Sequence, residues 1–344
     1  MLFLRYGSIL VPIQKGELMN SDEIMLSFRC KHRHTAESHP KCYQKYLVSR
    51  VAEGELRSLT FKEFKEEISK SAPIKFKRYN APKYGYMLEI EMPDLHLGKL
   101  TWGEESGEDG NMQTQIQSAY DVISELLSYS DQFPIEKVLF PIGHDFYNVD
   151  NKFNMTTHGT PQQEDDVWRK SFRTGWKLAK DLIDMCAEVS PVDVPIVSGN
   201  HDEERSFYLG EVLSGLYSNS DRVSIDNSPK VRKYRSYGVN LIGMTHGYEE
   251  TLKELVNMMP YEVPELWSKS LYREWHTGDK HHKDDFVQKT REEGANGVVI
   301  RILRSLSTTD MWHYNKGYIG SLRAAEAFLW DKDKGLKAQF TATP

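Results

Sequence analysis

The sequence predicts an α/β protein whose strands deliver polar side chains at their carboxyl ends. Between residues 86 and 303, short apolar runs of strand character alternate with longer segments of helical periodicity. Several of the runs stop at or near a glycine, and Asp, His or Asn follows at once. Open α/β folds build their sites at this edge of the sheet, so we expect these polar groups to meet there.

Composition limits the class of protein. The 344 residues are enough for one large domain or for a large domain with a small one. The chain is 39% hydrophobic and 27% charged, which is typical of soluble globular proteins, and its net charge of -6 leaves only a local patch for nucleic acid. Three cysteines favour a reducing compartment, and no run approaches membrane-spanning length. We therefore expect a cytoplasmic protein that does not contact a membrane.

Residues 1–85 differ in composition from the rest and are predicted to form an N-terminal accessory module before a main domain at 86–344. Within them, Cys30 and Cys42 lie near three histidines and could bind zinc, although a solvated loop is the favoured interpretation because the spacing matches no standard pair. Basic and aromatic residues interleave over 75–83. Such a patch could follow a phosphate backbone, but a solvated linker is the more common meaning.

The main domain opens with a strand predicted at residues 86–92, where side chains alternate. It runs into Asp94 and His96, and residues two apart in an extended segment face the same side, so this pair can bind one ion. An amphipathic helix is predicted at 114–129. A second buried strand at 137–142 then ends in Gly143, and Asp145 follows.

The middle of the chain repeats the pattern. A long helix is predicted at 164–187, followed by a strand at 194–197 that stops near Gly199. The polar side chains after this glycine are Asn200, His201 and Asp202. A further helix is predicted at 211–217.

The last third supplies two more junctions. A strand at 237–244 delivers His246, a helix follows at 249–259, and the segment around 267–275 leads into a loop rich in histidine that contains Asp279 and His281. A strand is predicted at 298–303. The tail contains a short helix at 324–328 and no site.

Together the motifs supply carboxylate, imidazole and amide ligands but no cysteine. This set suits divalent Mn, Fe, Zn or Co and argues against a closed structural zinc site. Two ions that share a carboxylate need about seven or eight ligands, close to what the motifs offer. A single Asp or His at a strand end is usually a helix cap or a solvated residue, but five such motifs in order are hard to explain that way.

The order and spacing of the motifs resemble the calcineurin-like metallophosphoesterase superfamily, and specifically its nuclease and phosphodiesterase branch, including DNA-repair exonucleases and phage-encoded members. The resemblance covers residues 94–282. It implies a four-layer α/β/β/α sandwich in which two mixed sheets pack face to face. It also implies two divalent ions, manganese first, with iron, zinc, magnesium and cobalt as alternatives.

The resemblance assigns a role to each motif residue. Asp94, His96 and His281 would hold the first ion. Asn200 and His246 would hold the second. The remaining residues would act as bridge, catalytic imidazole and orienting carboxylate, namely Asp145, His201 and Asp202.

Two motifs depart from the superfamily pattern. The second reads Gly-His-Asp where the family has Gly-Asp, and we place the bridge on Asp145 because a carboxylate can span two cations whereas neutral imidazole has one lone pair. The last has Asp279 in place of a histidine, so that residue would become an oxygen ligand of the second ion. Spacing favours His281 over the adjacent His282.

The activity implied is hydrolysis of phosphodiester bonds, in DNA first, by a metal-bound hydroxide with His201 assisting the leaving group. One alternative is a phosphatase or phosphodiesterase that acts on a small nucleotide or another phosphoester. Another is a binding or assembly protein that keeps the metals without turnover. A homodimer is left open.

Overall fold

The computed structural model describes residues 2–6, 9–13, 76, 79–279, 292–295, 297–315 and 322–344. The chain divides into two compact units, Met1–Ala72 and Pro73–Pro344. In the first unit the described residues form an antiparallel hairpin of β1 (Leu2–Tyr6) and β2 (Ile9–Ile13). Cys30 and Cys42 lie outside the described residues, and the boundary placed at residue 85 stays a prediction.

The second unit contains strands and helices in alternation. Its strands are β3 (Tyr86–Glu91), β4 (Ile135–Leu139), β5 (Ile142–Gly143), β6 (Val192–Val197), β7 (Val223–Asp226), β8 (Lys233–Tyr237), β9 (Asn240–Thr245), β10 (Tyr272–Thr277), β11 (Glu292–Ala295), β12 (Val298–Ile302), β13 (Ala325–Asp331) and β14 (Gly335–Ala342). Its helices are α1 (Gly103–Ser106), α2 (Met112–Ser128), α3 (Trp168–Val189), α4 (Glu203–Tyr217), α5 (Leu252–Glu262), α6 (Pro264–Lys269) and α7 (Met311–Asn315).

Within the described residues, these strands form two mixed sheets. The seven-stranded sheet has the order β14-β13-β3-β4-β6-β5, with β7 paired to β6, and the five-stranded sheet has the order β11-β12-β10-β9-β8. Strands β3 to β7 pair in parallel, as do β9, β10 and β12. The parallel strands place their carboxyl ends at one edge of each sheet.

The two sheets pack face to face. Met87 and Leu139 from the first sheet form one apolar cluster with Ile242 from the second. The neighbouring Leu241 faces the opposite side, where it packs with Trp275 and helix α5, as the two-residue period of a strand requires. Helices α2 and α3 contact the strands of the first sheet. The predicted α/β/β/α sandwich is confirmed.

The helix predicted in the tail is wrong. Residues 324–328 were expected to form a short helix, but they begin strand β13, which lies between β3 and β14 in antiparallel pairing. The segment is rich in alanine, a strong helix former, yet intrinsic preference is weak beside the pairing and burial that a central strand gains. In the described part of the chain, no helix has both the length and the apolar character needed to cross a bilayer.

The segment that leads into β3 is attached to this unit by aromatic contacts. The rings of Phe76 and Tyr79 lie over the guanidinium of Arg222, at 5.7 and 4.9 Å. The hydroxyl of Tyr79 also donates to the carbonyl oxygen of Ile135, and that of Tyr84 donates to Asp331. The aromatic residues of the basic segment described by the structure therefore pack on the unit itself.

An ion cluster joins the two sheets at the amino end of β6. Asp193 accepts hydrogen bonds from Arg235 of β8 and from Lys137 of β4, and Arg235 also bonds Asp226 of β7. Burial tends to raise the pKa of Asp193, but Arg235 and Lys137 hold it below its ordinary value. The cluster therefore stabilises the folded chain at neutral pH.

We expect Asp193→Asn to lower the free energy of unfolding at pH 7 by about 2–3 kcal/mol, because the partly buried Arg235 loses its principal partner. A depressed folded pKa contributes stability above the unfolded pKa of about 4, and this contribution disappears as the pH falls below it. The difference from wild type in urea unfolding should therefore shrink between pH 7 and pH 3. Asp166→Asn, which removes the exposed pair with Lys170, is the control and should cost less than about 1 kcal/mol.

Two helical glycines should respond to alanine with opposite signs. A Cβ at Gly175 of α3 would lie 2.2 Å from the ring of buried Tyr147, whereas a Cβ at Gly215 of α4 meets nothing within 4 Å. We expect Gly175→Ala to destabilise by about 1–3 kcal/mol through overpacking. Gly215→Ala should stabilise by about 0.5–1 kcal/mol because alanine restricts the unfolded chain. Equal effects in thermal unfolding would contradict the packing described for Tyr147.

Candidate metal centre

The polar residues predicted from sequence follow strands of both sheets. Asp94 and His96 follow β3, Asp145 follows β5, His246 follows β9 and Asp279 follows β10. The residues between β6 and α4 include Asn200, His201 and Asp202. Because the carboxyl ends of the parallel strands meet where the two sheets pack, these side chains come together.

The backbone of these junctions is unusual. Asp94, His96, Asp145 and Asp279 all have positive φ values, between 49° and 63°, and so does His144. Residues with a Cβ seldom adopt this left-handed region, which costs about 1–2 kcal/mol each. Backbone hydrogen bonds hold the conformation: the N–H of Asp94 donates to the carbonyl of His144, and that of His96 donates to the carbonyl of Asp145.

Asp145 lies at the middle of the site. Its Oδ1 accepts the backbone N–H of His201 at 2.8 Å, and its Oδ2 lies 3.0 Å from His246 Nε2 and 3.8 Å from His96 Nε2. A Cβ on Gly199 would lie 1.9 Å from Oδ1, so only glycine allows the carboxylate to approach the β6 junction this closely.

Two groups of ligand atoms converge on this carboxylate. The first contains His96, Asp145 and His201, and the second contains Asp94, Asp145 and His246; within each group the ligand atoms lie within 4.8 Å of one another. Asp145 is the member common to both. The predicted division placed Asp94 with His96, whose Nε2 lies 3.7 Å from Asp94 Oδ1, and how the ligands divide between two ions stays a prediction.

Burial and mutual charge set the protonation of the site. Burial, together with the charge of His201, lowers the pKa of His96 to about 4, so its imidazole is neutral and keeps a lone pair. Burial also tends to lower the pKa of His246, but Asp145 and Asp94 outweigh it and raise that pKa to about 10. Burial would raise the pKa of Asp145, yet the nearby imidazoles, His246 first, hold it well below its ordinary value.

His201 has a defined tautomer and a partner that the sequence did not indicate. Its Nδ1 lies 2.9 Å from the carbonyl oxygen of Asn148, which can only accept, so in the neutral ring Nδ1 carries the proton and Nε2 carries the lone pair. Asp202 was expected to orient this ring. Its Oδ2 instead accepts the backbone N–H of Tyr147 at 2.9 Å, and burial with the charge of Asp145 raises the pKa of Asp202 to about 7.

Of the remaining predicted ligands, the structure describes Asn200 and Asp279 but not His281. Asn200 Oδ1 lies 3.0 Å from His246 Nε2. Asp279, whose side chain is 30% exposed, places Oδ1 4.0 Å from the same nitrogen, so the residue that departs from the family pattern reaches the centre. His281 and His282 lie outside the described residues. His144 is buried beside His246, at 5.9 Å between ring centroids, and neither of its ring nitrogens has a hydrogen-bond partner within the described residues.

The donor set fits divalent metal ions. Carboxylate oxygens, imidazole nitrogens and one amide oxygen meet in a small volume, which is the mixture that Mn, Fe, Zn and Co bind. Asp94, Asp145 and His246 are each at most 2% exposed. A cation would offset the buried negative charge and displace the proton of His246. These residues therefore suit an ion or a pair of ions.

One cluster in the described part of the chain was not predicted from the sequence. Glu89, Glu91 and His276 form a further group of ligand-type side chains, buried between the sheets. The signal was present, because two glutamates alternate with apolar residues in a strand that was predicted to be buried.

We expect Asp145→Asn to abolish or greatly weaken Mn²⁺ binding at this centre, since the residue contributes to both ligand groups. Equilibrium dialysis of the metal-stripped chain followed by elemental analysis measures the bound ions. Asp121→Asn, an exposed position on α2, is the control and should bind as wild type does. Affinity of wild type should also fall as the pH is lowered from 8 to 6, because His246 must lose its proton. Unchanged binding in Asp145→Asn would contradict the shared role.

Comparison with known proteins yields little for this chain. No family model and no curated protein matches it. Among solved structures, it is similar to the crystal structure of Chaetomium thermophilum Vps29, with 11% sequence identity and a TM-score of 0.30 over 75% of this chain and 98% of that one. A likeness of this size carries no argument, so the fold and the site rest on the strand order and contacts described above.

Proposed function

We propose that the protein is a metal-dependent phosphoesterase that hydrolyses phosphodiester bonds, with two divalent ions at the candidate metal centre. The observation that carries this proposal is the position of Asp145, which belongs to both groups of ligand atoms. Ions that share one carboxylate lie about 3.5–4 Å apart, the arrangement that suits in-line displacement at phosphorus. Manganese is the first choice of ion.

Each residue of the centre has a proposed task. Asp94, His96, Asn200 and His246 would hold the ions with Asp145, and Asp279 and His281 would complete the set. When bound, two divalent ions lower the pKa of water and neutralise charge on phosphoryl oxygens. The chain itself supplies a rigid arrangement, because the strained junctions and the burial of Asp145 fix the ligands before an ion arrives.

His201 is the proposed proton-transfer residue. Because Asn148 holds Nδ1–H, Nε2 faces away from that carbonyl and can exchange a proton with a leaving oxygen. The same nitrogen could instead bind an ion, since His201 is grouped with His96 and Asp145. The two roles differ in one measurable respect: loss of a proton-transfer residue leaves the bound metal unchanged. Asp202, which holds the backbone at Tyr147, would support this loop and not the imidazole ring.

DNA is the proposed substrate, on the basis of the motif resemblance to the nuclease and exonuclease branch. The charge of exposed residues next to the candidate metal centre favours a second candidate substrate, a small nucleotide or another small phosphoester. Glu203 and Glu204 are exposed and follow His201 and Asp202 directly, so they place negative charge beside the centre. A long polyanion would meet this charge along its backbone, whereas a compact phosphoester need not.

The test is hydrolysis of labelled single- and double-stranded DNA and of bis(p-nitrophenyl) phosphate with Mn²⁺ supplied. We expect His201→Ala to lower kcat by about 10²–10⁴-fold with bound metal unchanged, as loss of a general acid does. Asp145→Asn should lose activity together with the ions of the candidate metal centre. His158→Ala, which removes an exposed imidazole, is the matched control and should retain full activity.

The outcomes separate the candidates. Cleavage of DNA supports the nuclease, and turnover of the small diester alone supports the second candidate. Loss of metal in His201→Ala would make His201 a ligand. Metal binding without turnover of any substrate would contradict the proposal and leave a binding or assembly role.

A further inference from the structure

A second cluster of carboxylate and imidazole side chains lies between the two sheets. Glu89 and Glu91 share the inner face of β3, two residues apart, and His276 projects from β10 of the other sheet. Exposure is 0% for Glu89, 1% for Glu91 and 0% for His276. Ionisable groups are seldom buried this completely unless a partner compensates their charge.

Three ligand atoms of this cluster converge. Each of the three side chains offers one ligand atom that lies within 4.8 Å of the other two. His276 Nδ1 is 3.0 Å from Glu89 Oε1 and 3.8 Å from Glu91 Oε1. Within the described residues, neither these three atoms nor Glu91 Oε2 has a hydrogen-bond partner. His276 Nδ1 and Glu89 Oε1 are close enough for a hydrogen bond, at 3.0 Å, but do not have the geometry of one.

The other polar atoms of Glu89 and His276 contact neighbouring side chains. Glu89 Oε2 accepts the indole N–H of Trp330 at 2.7 Å. His276 Nε2 lies 3.5 Å from Glu274, which in turn accepts from Arg301. A metal-binding histidine commonly donates its second N–H to a carboxylate, which fixes the ring and leaves the other nitrogen free to bind. The cluster has this arrangement.

Charge balance points to a cation. Glu89 and Glu91 place two carboxylates beside one another out of contact with water. Either one divalent ion or two protons can neutralise them.

We propose that Glu89, Glu91 and His276 bind one divalent cation at a site separate from the candidate metal centre. One imidazole and two carboxylates suit Zn²⁺ or Mn²⁺. The site is structural: the ion joins β3 to β10, one strand from each sheet, a few residues before Asp94 and Asp279. It is independent of the proposed activity, because none of its ligands belongs to the candidate metal centre.

The first test counts ions. The full chain is stripped of metal, equilibrated with Zn²⁺ or Mn²⁺, and analysed for bound metal per chain. Glu91→Gln keeps the shape of the side chain but removes its charge, and it should bind one ion fewer than wild type. Asp145→Asn should retain this ion, and the double variant should lose it. Glu104→Gln, at an exposed position, is the control. Equal metal content in wild type and Glu91→Gln would overturn the proposal.

The second test uses stability in the Asp145→Asn background, where the candidate metal centre does not contribute. Zn²⁺ or Mn²⁺ should raise the Tm of Asp145→Asn but not that of Asp145→Asn with Glu91→Gln. Without metal, Glu91→Gln should have the same or a higher Tm, because it removes a buried ionisable group. Should Glu91→Gln fail to fold, Trp330→Phe replaces it; loss of the bond to Glu89 should weaken the ion about 10–100-fold. Equal metal-induced shifts in both backgrounds would contradict the site.

Discussion

The buried carboxylate of Asp145 is the constraint on which the site depends. It receives a backbone N–H from the β6 junction and lies against imidazoles from the β3 and β9 junctions. A carboxylate in this position, 2% exposed, would be costly alone. Its neighbours compensate for that cost only while the two sheets keep their mutual position. The geometry of the site therefore depends on the packing of the two sheets.

Strand β6 is one of the elements that keep the two sheets in position. Its amino end carries Asp193, which ties it to β4 and to β8 of the other sheet through charged hydrogen bonds. Its carboxyl end leads into Gly199 and His201. A strand fixed at both ends has little freedom to slide, since a shift by one residue would reverse every side chain. The ion cluster at one end of the strand therefore contributes to the register of the site at the other.

The sequence indicated much of the site because simple rules applied. Asp94, Asp145 and His246 each follow an apolar strand, and parallel strands bring such positions to one edge. The α/β/β/α layers agreed with the family resemblance. In contrast, the partner of His201 is the main-chain carbonyl of Asn148, a group that every residue possesses, so no side-chain pattern could mark it.

Contacts between distant strands also could not be predicted from the sequence. The pairing of Glu89 with His276 depends on how one sheet lies on the other, and no periodicity encodes that. The helix expected at 324–328 failed for a related reason: local preference favours a helix, whereas the hydrogen bonds that β3 and β14 offer make the segment a central strand.

The aromatic contacts of Arg222 bear on where the second unit begins. A composition change near residue 85 suggests cutting the chain at Tyr86, the first residue of β3. A fragment that starts there would lack Phe76 and Tyr79 and so would expose a guanidinium that their rings now cover. It would also deprive the carbonyl of Ile135 of its hydroxyl donor. A shortened chain intended to hold the second unit alone should therefore start near Pro73, so that these residues remain as part of its surface.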